Sequence, residues 1–155
     1  MEVITNSAGE TISLGKQLGS KLSSGDVVAL SGELGAGKTT FTKGLATGMG
    51  IKGMRVNSPS YVLIRQVSGG RLPLYHFDLY RLDTVRDVRN LGYEEYFYGD
   101  GVTVIEWAEK AKGLLPEEYI GIKIISRRDG KRSLKFYPKG ERFKRLVRNM
   151  GLVKG

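Results

Sequence analysis

The residues with the most pointed chemistry stand together in the run Gly32-Glu33-Leu34-Gly35-Ala36-Gly37-Lys38-Thr39. The spacing is G-x-x-x-x-G-K-T, the pattern of a phosphate-wrapping loop. Such a loop turns backbone N–H groups toward phosphate oxygens, and a misplaced Cβ blocks the approach. Gly32, Gly35 and Gly37 lift that block. The loop residues Glu33, Leu34, Gly35, Ala36 and Gly37, with Lys38, Thr39 and Thr40, are therefore the expected contacts to a nucleotide bound with Mg²⁺. Lys38 suits the β- and γ-phosphates, and the Thr39 hydroxyl suits Mg²⁺. A helix opening at this point aims its positive end at the same anion.

A second group of residues completes the chemistry. Val102-Thr103-Val104-Ile105-Glu106 reads as a buried strand ending in a carboxylate. A phosphate loop needs an acid at the end of a neighbouring strand, to hold Mg²⁺ or orient the attacking water. Glu106 fits that place, and the alternative is a solvated strand end. In Tyr75-His76-Phe77-Asp78-Leu79-Tyr80-Arg81, period two puts His76, Asp78 and Tyr80 on one face and Tyr75, Phe77 and Leu79 on the other. Asp78 then either sits near the metal or the water, or belongs to a surface hydrogen-bond row with His76 or Arg81. Trp107 is the only tryptophan, and it either lines the pocket or packs in the core. Thr11 either faces the nucleotide or bonds its own helix, and the second is the more ordinary role. Ser58-Pro59-Ser60 offers hydroxyls in a loop after the first post-loop helix, where a γ-phosphate or Mg²⁺ is sensed, or is an ordinary entry to a strand. A single histidine excludes a multi-histidine metal centre.

The elements that must position these residues are legible in outline. Asp26–Leu30 is a short apolar run, as a buried strand requires, and Phe41, Leu45 and Met49 make one helical face closed by Gly50. Strand, glycine loop and helix is the order the loop demands. Upstream, Glu2–Asn6 reads as an edge strand, and Ser7 to Glu10 has capping-box spacing for a helix over 8–23. Downstream, Tyr61–Val67 and Leu72–Leu79 flank a Ser-Gly-Gly-Arg turn and form an antiparallel pair. Thr84 caps a short helix, Ala108–Leu115 is expected to be helical up to Pro116, and Tyr119–Ser126 pairs with Arg132–Tyr137 across a basic turn. Glu141–Met150 closes the chain as an amphipathic helix. The expected fold class is α/β: a P-loop-type sandwich with a mixed, partly parallel central sheet flanked by helices. The expected organisation is one domain over 1–155.

Composition bounds the rest. The 155 residues hold no cysteine, which excludes disulfides, Cys-ligated zinc and thiol nucleophiles. No stretch approaches a membrane span, and the N-terminus lacks the form of a signal peptide, so a soluble cytoplasmic protein is expected. The net charge of +9 is unevenly placed: residues 123–155 carry 12 of the 25 basic side chains and 2 of the 16 acidic ones. That excess either draws a polyanion or an acidic partner, or is a solvated basic face.

Four segments, GELGAGKTT, NSPSY, YHFDLYRL and VIEWAEK, stand in one order. Together they resemble the TsaE (YjeE) family of small P-loop ATPases, over about Thr11 to Pro116. The resemblance implies a mixed-sheet P-loop fold and slow ATP hydrolysis by the isolated protein. It also implies association with the TsaD and TsaB proteins, in making the N6-threonylcarbamoyl modification of adenosine in tRNA. It implies Lys38 and Thr39 on phosphates and Mg²⁺, Glu106 as the metal-site acid and Asp78 as a carboxylate needed for activity. It also implies Trp107 and Thr11 beside the nucleotide. The family often has S-P-T where this chain has Ser58-Pro59-Ser60, which keeps the hydroxyl. Two other readings share the loop: a small-molecule kinase, which needs an acceptor pocket and an arginine-rich lid, and a nucleotide-binding RNA module resting on residues 123–155.

Overall fold

A computed structural model describes residues 1–53 and 63–151; the Ser58-Pro59-Ser60 loop and the first two residues of the strand expected from Tyr61 lie outside the described residues. The strands are β1 (Glu2–Thr5), β2 (Val27–Ser31), β3 (Ile64–Val67), β4 (Leu74–Asp78), β5 (Val102–Glu106), β6 (Tyr119–Ser126) and β7 (Arg132–Lys139). The helices are α1 (Ala8–Gly19), α2 (Lys38–Gly48), α3 (Val85–Arg89), α4 (Glu94–Phe97) and α5 (Glu141–Asn149), with a 3₁₀ turn at Ala108–Ala111. One sheet runs in the order β1-β7-β6-β2-β5-β4-β3. Its centre, β6-β2-β5-β4, is parallel, and β7 on β6, β1 on β7 and β3 on β4 are antiparallel. The fold is the mixed α/β sandwich expected. Strands β2 and β5 are mostly apolar, interrupted only by Thr103 and by the polar ends Ser31 and Glu106, because a parallel centre is buried on both faces.

One face is covered by α1, α2 and α5, whose Leu18, Phe41, Leu45 and Phe143 pack on Val28, Leu30, Ile122 and Phe136. The other is covered by α3, α4 and the 3₁₀ turn, whose Val88, Phe97 and Ala111 pack on Ala29, Phe77 and Ile105. That second cover stops short of β6, β7 and β1, where Tyr137 is 53% exposed and Ile4 37%. Helices α1 and α2 meet at backbone contact. A Cβ on Gly44 would lie 2.2 Å from the Ile12 carbonyl oxygen, and one on Gly19 2.1 Å from that of Leu45. This seating fixes where α2 begins, and so where the side chains of its first turn point.

Three local expectations are corrected. Helix α1 stops at Gly19 rather than near 23, because Ser20 caps it and the chain turns at 21–25 toward β2. Ser7 accepts the Glu10 N–H as expected, but the Glu10 carboxylate accepts from the Asn6 N–H, one residue earlier than a capping box. The helix expected over Ala108–Leu115 is a single 3₁₀ turn, bracketed by left-handed backbone at Trp107 (φ 62°) and Gly113 (φ 87°).

Candidate functional site

The glycine loop leaves the C-terminal end of β2, crosses the top of the sheet and enters α2. Gly32 is held at φ 142° and a Cβ on it would meet the Ile124 carbonyl oxygen at 2.3 Å, so the loop lies flat against β6. Gly37, at φ 114°, is the left-handed cap residue of α2 and brings Lys38 into the first helical turn. The Lys38 side chain folds back into the loop. Its Nζ donates to the carbonyl oxygens of Gly32 (2.6 Å) and Glu33 (2.7 Å) and lies 4.1 Å from the centre of the Trp107 ring. Burial pushes the ammonium pKa down from its usual value, while the carboxylates of Glu106, Glu109 and Asp78 pull it up. A buried cation resting on carbonyl dipoles and an aromatic face is placed to exchange them for an anion.

The carboxylates come from the adjoining strand ends. Strands β4 and β5 pair with Asp78 opposite Glu106, which places both acids beside the loop. The Thr39 hydroxyl donates to Glu106 Oε1 at 2.8 Å. Glu106 Oε2 is bonded to His76 Nε2, and both side chains are almost fully buried. Glu106 is therefore gripped from two sides, by the helix that opens at the loop and by the next strand. Asp78 lines the cleft, with its Oδ1 accepting the Tyr80 N–H. Among the described residues no group of three or more His, Cys, Asp or Glu side chains forms a metal cage. The donor set that is present, one hydroxyl and one or two carboxylates beside a loop of N–H groups, suits a hard cation that also takes phosphate oxygens.

The cleft measures about 390 Å³ and is walled by Gly35, Lys38, Thr39, Thr40, Asp78, Tyr80, Arg81, Glu106 and Trp107, with Leu34 74% exposed at its lip. Trp107 is the only non-glycine residue at positive φ among the described residues. Such a conformation is strained for a bulky side chain, typically by about 1–2 kcal/mol, and strain of this kind gathers at working sites. The ring lies against Tyr80, with centroids 5.1 Å apart, and near Lys110 Nζ at 5.6 Å.

Most of the expected site residues thus meet at one place: the loop, Lys38, Thr39, Thr40, Asp78, Glu106 and Trp107. Ala36 and Glu33 do not line the cleft, and the Ala36 side chain is in the core. Thr11 does not reach the cleft. Its hydroxyl is buried, 2.7 Å from that of Thr5 on β1, and also bonds the Ser7 carbonyl oxygen. Period two puts His76 with Asp78 on one strand face, and that face is interior at residue 76. Its approach to Glu106 follows from the register of β4 on β5, which pairs Asp78 with Glu106 and which the sequence does not report. The C-terminal charge is divided: Arg142 Nη2 bonds Asp26 at 2.6 Å, just before β2 and so at the opposite end of that strand from the loop, whereas Arg132 stands beside the loop, its Nε 3.8 Å from where a Cβ on Gly37 would lie.

A sequence model of the family described as "Threonylcarbamoyl adenosine biosynthesis protein TsaE" matches residues 5–134. The chain belongs to the TsaE family. It is 42% identical over 141 residues to the tRNA threonylcarbamoyladenosine biosynthesis protein TsaE of Bacillus subtilis, spanning 91% of this chain and 87% of that one. The TsaE protein of Treponema pallidum is 43% identical over 134 residues, 86% of this chain and 98% of its own. Among solved structures, the crystal structure of Bacillus subtilis YdiB superposes with a TM-score of 0.84 at 37% identity, covering 98% of this chain and 94% of that one. The TsaE family is one of threonylcarbamoyladenosine biosynthesis, and its match ends within β7, before α5 begins. No helix among the described residues is long and apolar enough to cross a membrane.

Proposed function

We propose that the chain is a Mg²⁺-dependent ATPase of tRNA threonylcarbamoyladenosine formation, working in the cytoplasm with the TsaD and TsaB proteins. The observation that carries this reading is the Thr39–Glu106 hydrogen bond beside a loop that holds the Lys38 ammonium buried. A hydroxyl and a carboxylate already in contact are where a P-loop ATPase keeps its magnesium.

The residues present fit ATP and magnesium. The N–H groups of the loop and of the first turn of α2 bind phosphate oxygens. Lys38 leaves the Gly32 and Glu33 carbonyls and neutralises charge that grows on the β- and γ-phosphates. Thr39 and Glu106 hold the metal, directly or through water. Magnesium, when bound, supplies positive charge to the phosphates during transfer. His76 keeps Glu106 oriented by its buried contact. Asp78 and Glu106 are the carboxylates that orient the attacking water, and Trp107 and Tyr80 wall the cleft against bulk solvent. Arg81 lines the same cleft, and a group from the TsaB–TsaD pair would complete a site of low intrinsic activity.

The test is release of inorganic phosphate from ATP, with and without the TsaB–TsaD pair. Lys38→Ala and Glu106→Gln should each lower the rate at least ~100-fold, in the range of losses for a charge-stabilising or water-orienting group. The fold should persist by circular dichroism. Undiminished phosphate release in either variant would remove the assignment. Transfer of the phosphoryl group to a small-molecule acceptor would replace it with a kinase.

A further inference from the structure

Helix α5 begins after the family match ends, and four of its nine residues are basic: Arg142, Lys144, Arg145 and Arg148. Its apolar side chains Phe143, Leu146 and Val147 are buried in the core under the sheet. What the helix shows to water is charge. The Gln17 side chain donates to the Met150 carbonyl oxygen at 2.9 Å, which seats the end of α5 against α1. Between the two helices a hollow of about 300 Å³ is lined by Lys21, Arg142, Arg145, Leu146 and Asn149, with no carboxylate among them.

The charge of this face is largely open. Lys21, Arg145 and Arg148 are exposed and form no salt bridge among the described residues. Arg142 commits Nη2 to the buried Asp26 at 2.6 Å and lies over the Phe143 ring, 5.2 Å from its centre. A guanidinium has five N–H donors, so the ion pair anchors the group without filling it. At the end of α1 beside Lys21, the Gly19 and Leu22 carbonyls are bonded by Arg71, whose charge offsets the negative end of that helix.

We infer that this face of α5, with Lys21, binds the phosphodiester backbone of a folded RNA. Arg142, Arg145 and Arg148 follow one another at three-residue intervals, so they span about 9 Å of helix axis. Over that length one strand of a duplex carries about two to three phosphates. The paired N–H donors of each guanidinium meet two phosphate oxygens at once. Other occupants fit less well. A protein partner needs an apolar anchor, and Leu146, 8% exposed, is the only apolar side chain lining the hollow. A lipid surface holds a basic helix by its apolar face, which here is inside the core. A phosphate backbone needs neither, and contacts to it position an RNA without reading its sequence. The patch lies at the end of β2 opposite the glycine loop, so it is separate from the cleft, and the inference rests on no step of the proposed nucleotide cycle.

The test is the anisotropy of an end-labelled, unmodified tRNA transcript titrated with the full chain, without nucleotide, across about 50–200 mM KCl. The variant is Arg145→Gln with Arg148→Gln; Arg142 is left in place because it carries Asp26. The control is Lys112→Gln, which removes an exposed charge beyond the 3₁₀ turn, on the other face of the sheet. The expected result is at least ~10-fold weaker binding by the double variant at about 100 mM salt, with a log–log salt slope shallower by about 1.4–1.8, the share of two phosphate contacts. The control should bind as the parent does, and phosphate release from ATP should be unchanged in both. No salt-dependent binding by the parent, or undiminished binding by the double variant, overturns the inference. An equal loss in Lys112→Gln assigns the attraction to net charge and overturns the patch. Phosphatidylglycerol vesicles that capture the chain through the same two arginines without RNA being bound, or poly-glutamate that displaces RNA as readily as unlabelled transcript does, overturn RNA as the occupant.

Discussion

Adding one methyl group between α1 and α2 tests the packing that seats the site. In Gly44→Ala the new Cβ would lie 2.2 Å from the Ile12 carbonyl oxygen and 2.9 Å from its Cα and C. Relief needs a separation of roughly 1 Å, given contact distances near 3.5 Å. The interface has no slack to give, since Gly15, Gly19 and Gly48 make equally close approaches along the same seam. Overpacking of this kind costs about 1–3 kcal/mol. Alanine regains about 1 kcal/mol of helix propensity. The expected net loss is about 1 kcal/mol and up to about 2, or roughly 2–8 °C in Tm for a chain of this size. Because Lys38 and Thr39 open the helix that must move, phosphate release should also fall by about 10–100-fold, a typical penalty for a misplacement near 1 Å. Gly9→Ala is the control: its Cβ would find only Ser7 Oγ, at 3.7 Å, and should leave stability equal or higher. Urea titrations followed by circular dichroism measure both. A Gly44→Ala protein as stable as its parent would refute the packing argument.

Two further outcomes are expected. Burial raises the pKa of the Asp26 carboxyl above its usual 3.8, against the opposing pull of the Ser23 N–H and Arg142. A group that binds its proton more tightly when folded stabilises the fold below pH 3.8 and loses that contribution as pH rises through its folded value. Asp26→Asn has no such loss, so unfolding curves across pH should shift in favour of the variant as pH rises; a constant difference would contradict this. His76→Ala leaves Glu106 Oε2 buried without its partner. It should lower stability by about 1–3 kcal/mol and raise the Mg²⁺ concentration needed for half-maximal phosphate release. A change in stability with no change in the Mg²⁺ requirement would make His76 a packing residue only.

What was legible in the sequence was what is encoded locally. The glycines of the loop, the apolar run before it and the helical stripe after it lie within 30 residues of one another, and each reports its own backbone geometry. Glu106 was legible because a carboxylate ending an apolar strand has few roles beside such a loop. Thr11 was open because the residue that captures it, Thr5, sits on a strand whose neighbour β7 is over 120 residues away. His76 was placed on the correct face, but the burial of that face depends on α1 and α2 packing above it, which period two does not report. The segment after Trp107 has helical composition, and its outcome was decided by two left-handed residues.

The lone tryptophan gives the chain a built-in optical reporter. Every photon of indole emission from this protein originates at Trp107, where Lys38 lies 4.1 Å from the ring centre. Departure of that ammonium changes the charge felt by the excited ring. Occupancy of the cleft can therefore be followed in an unlabelled chain by the colour and yield of its fluorescence.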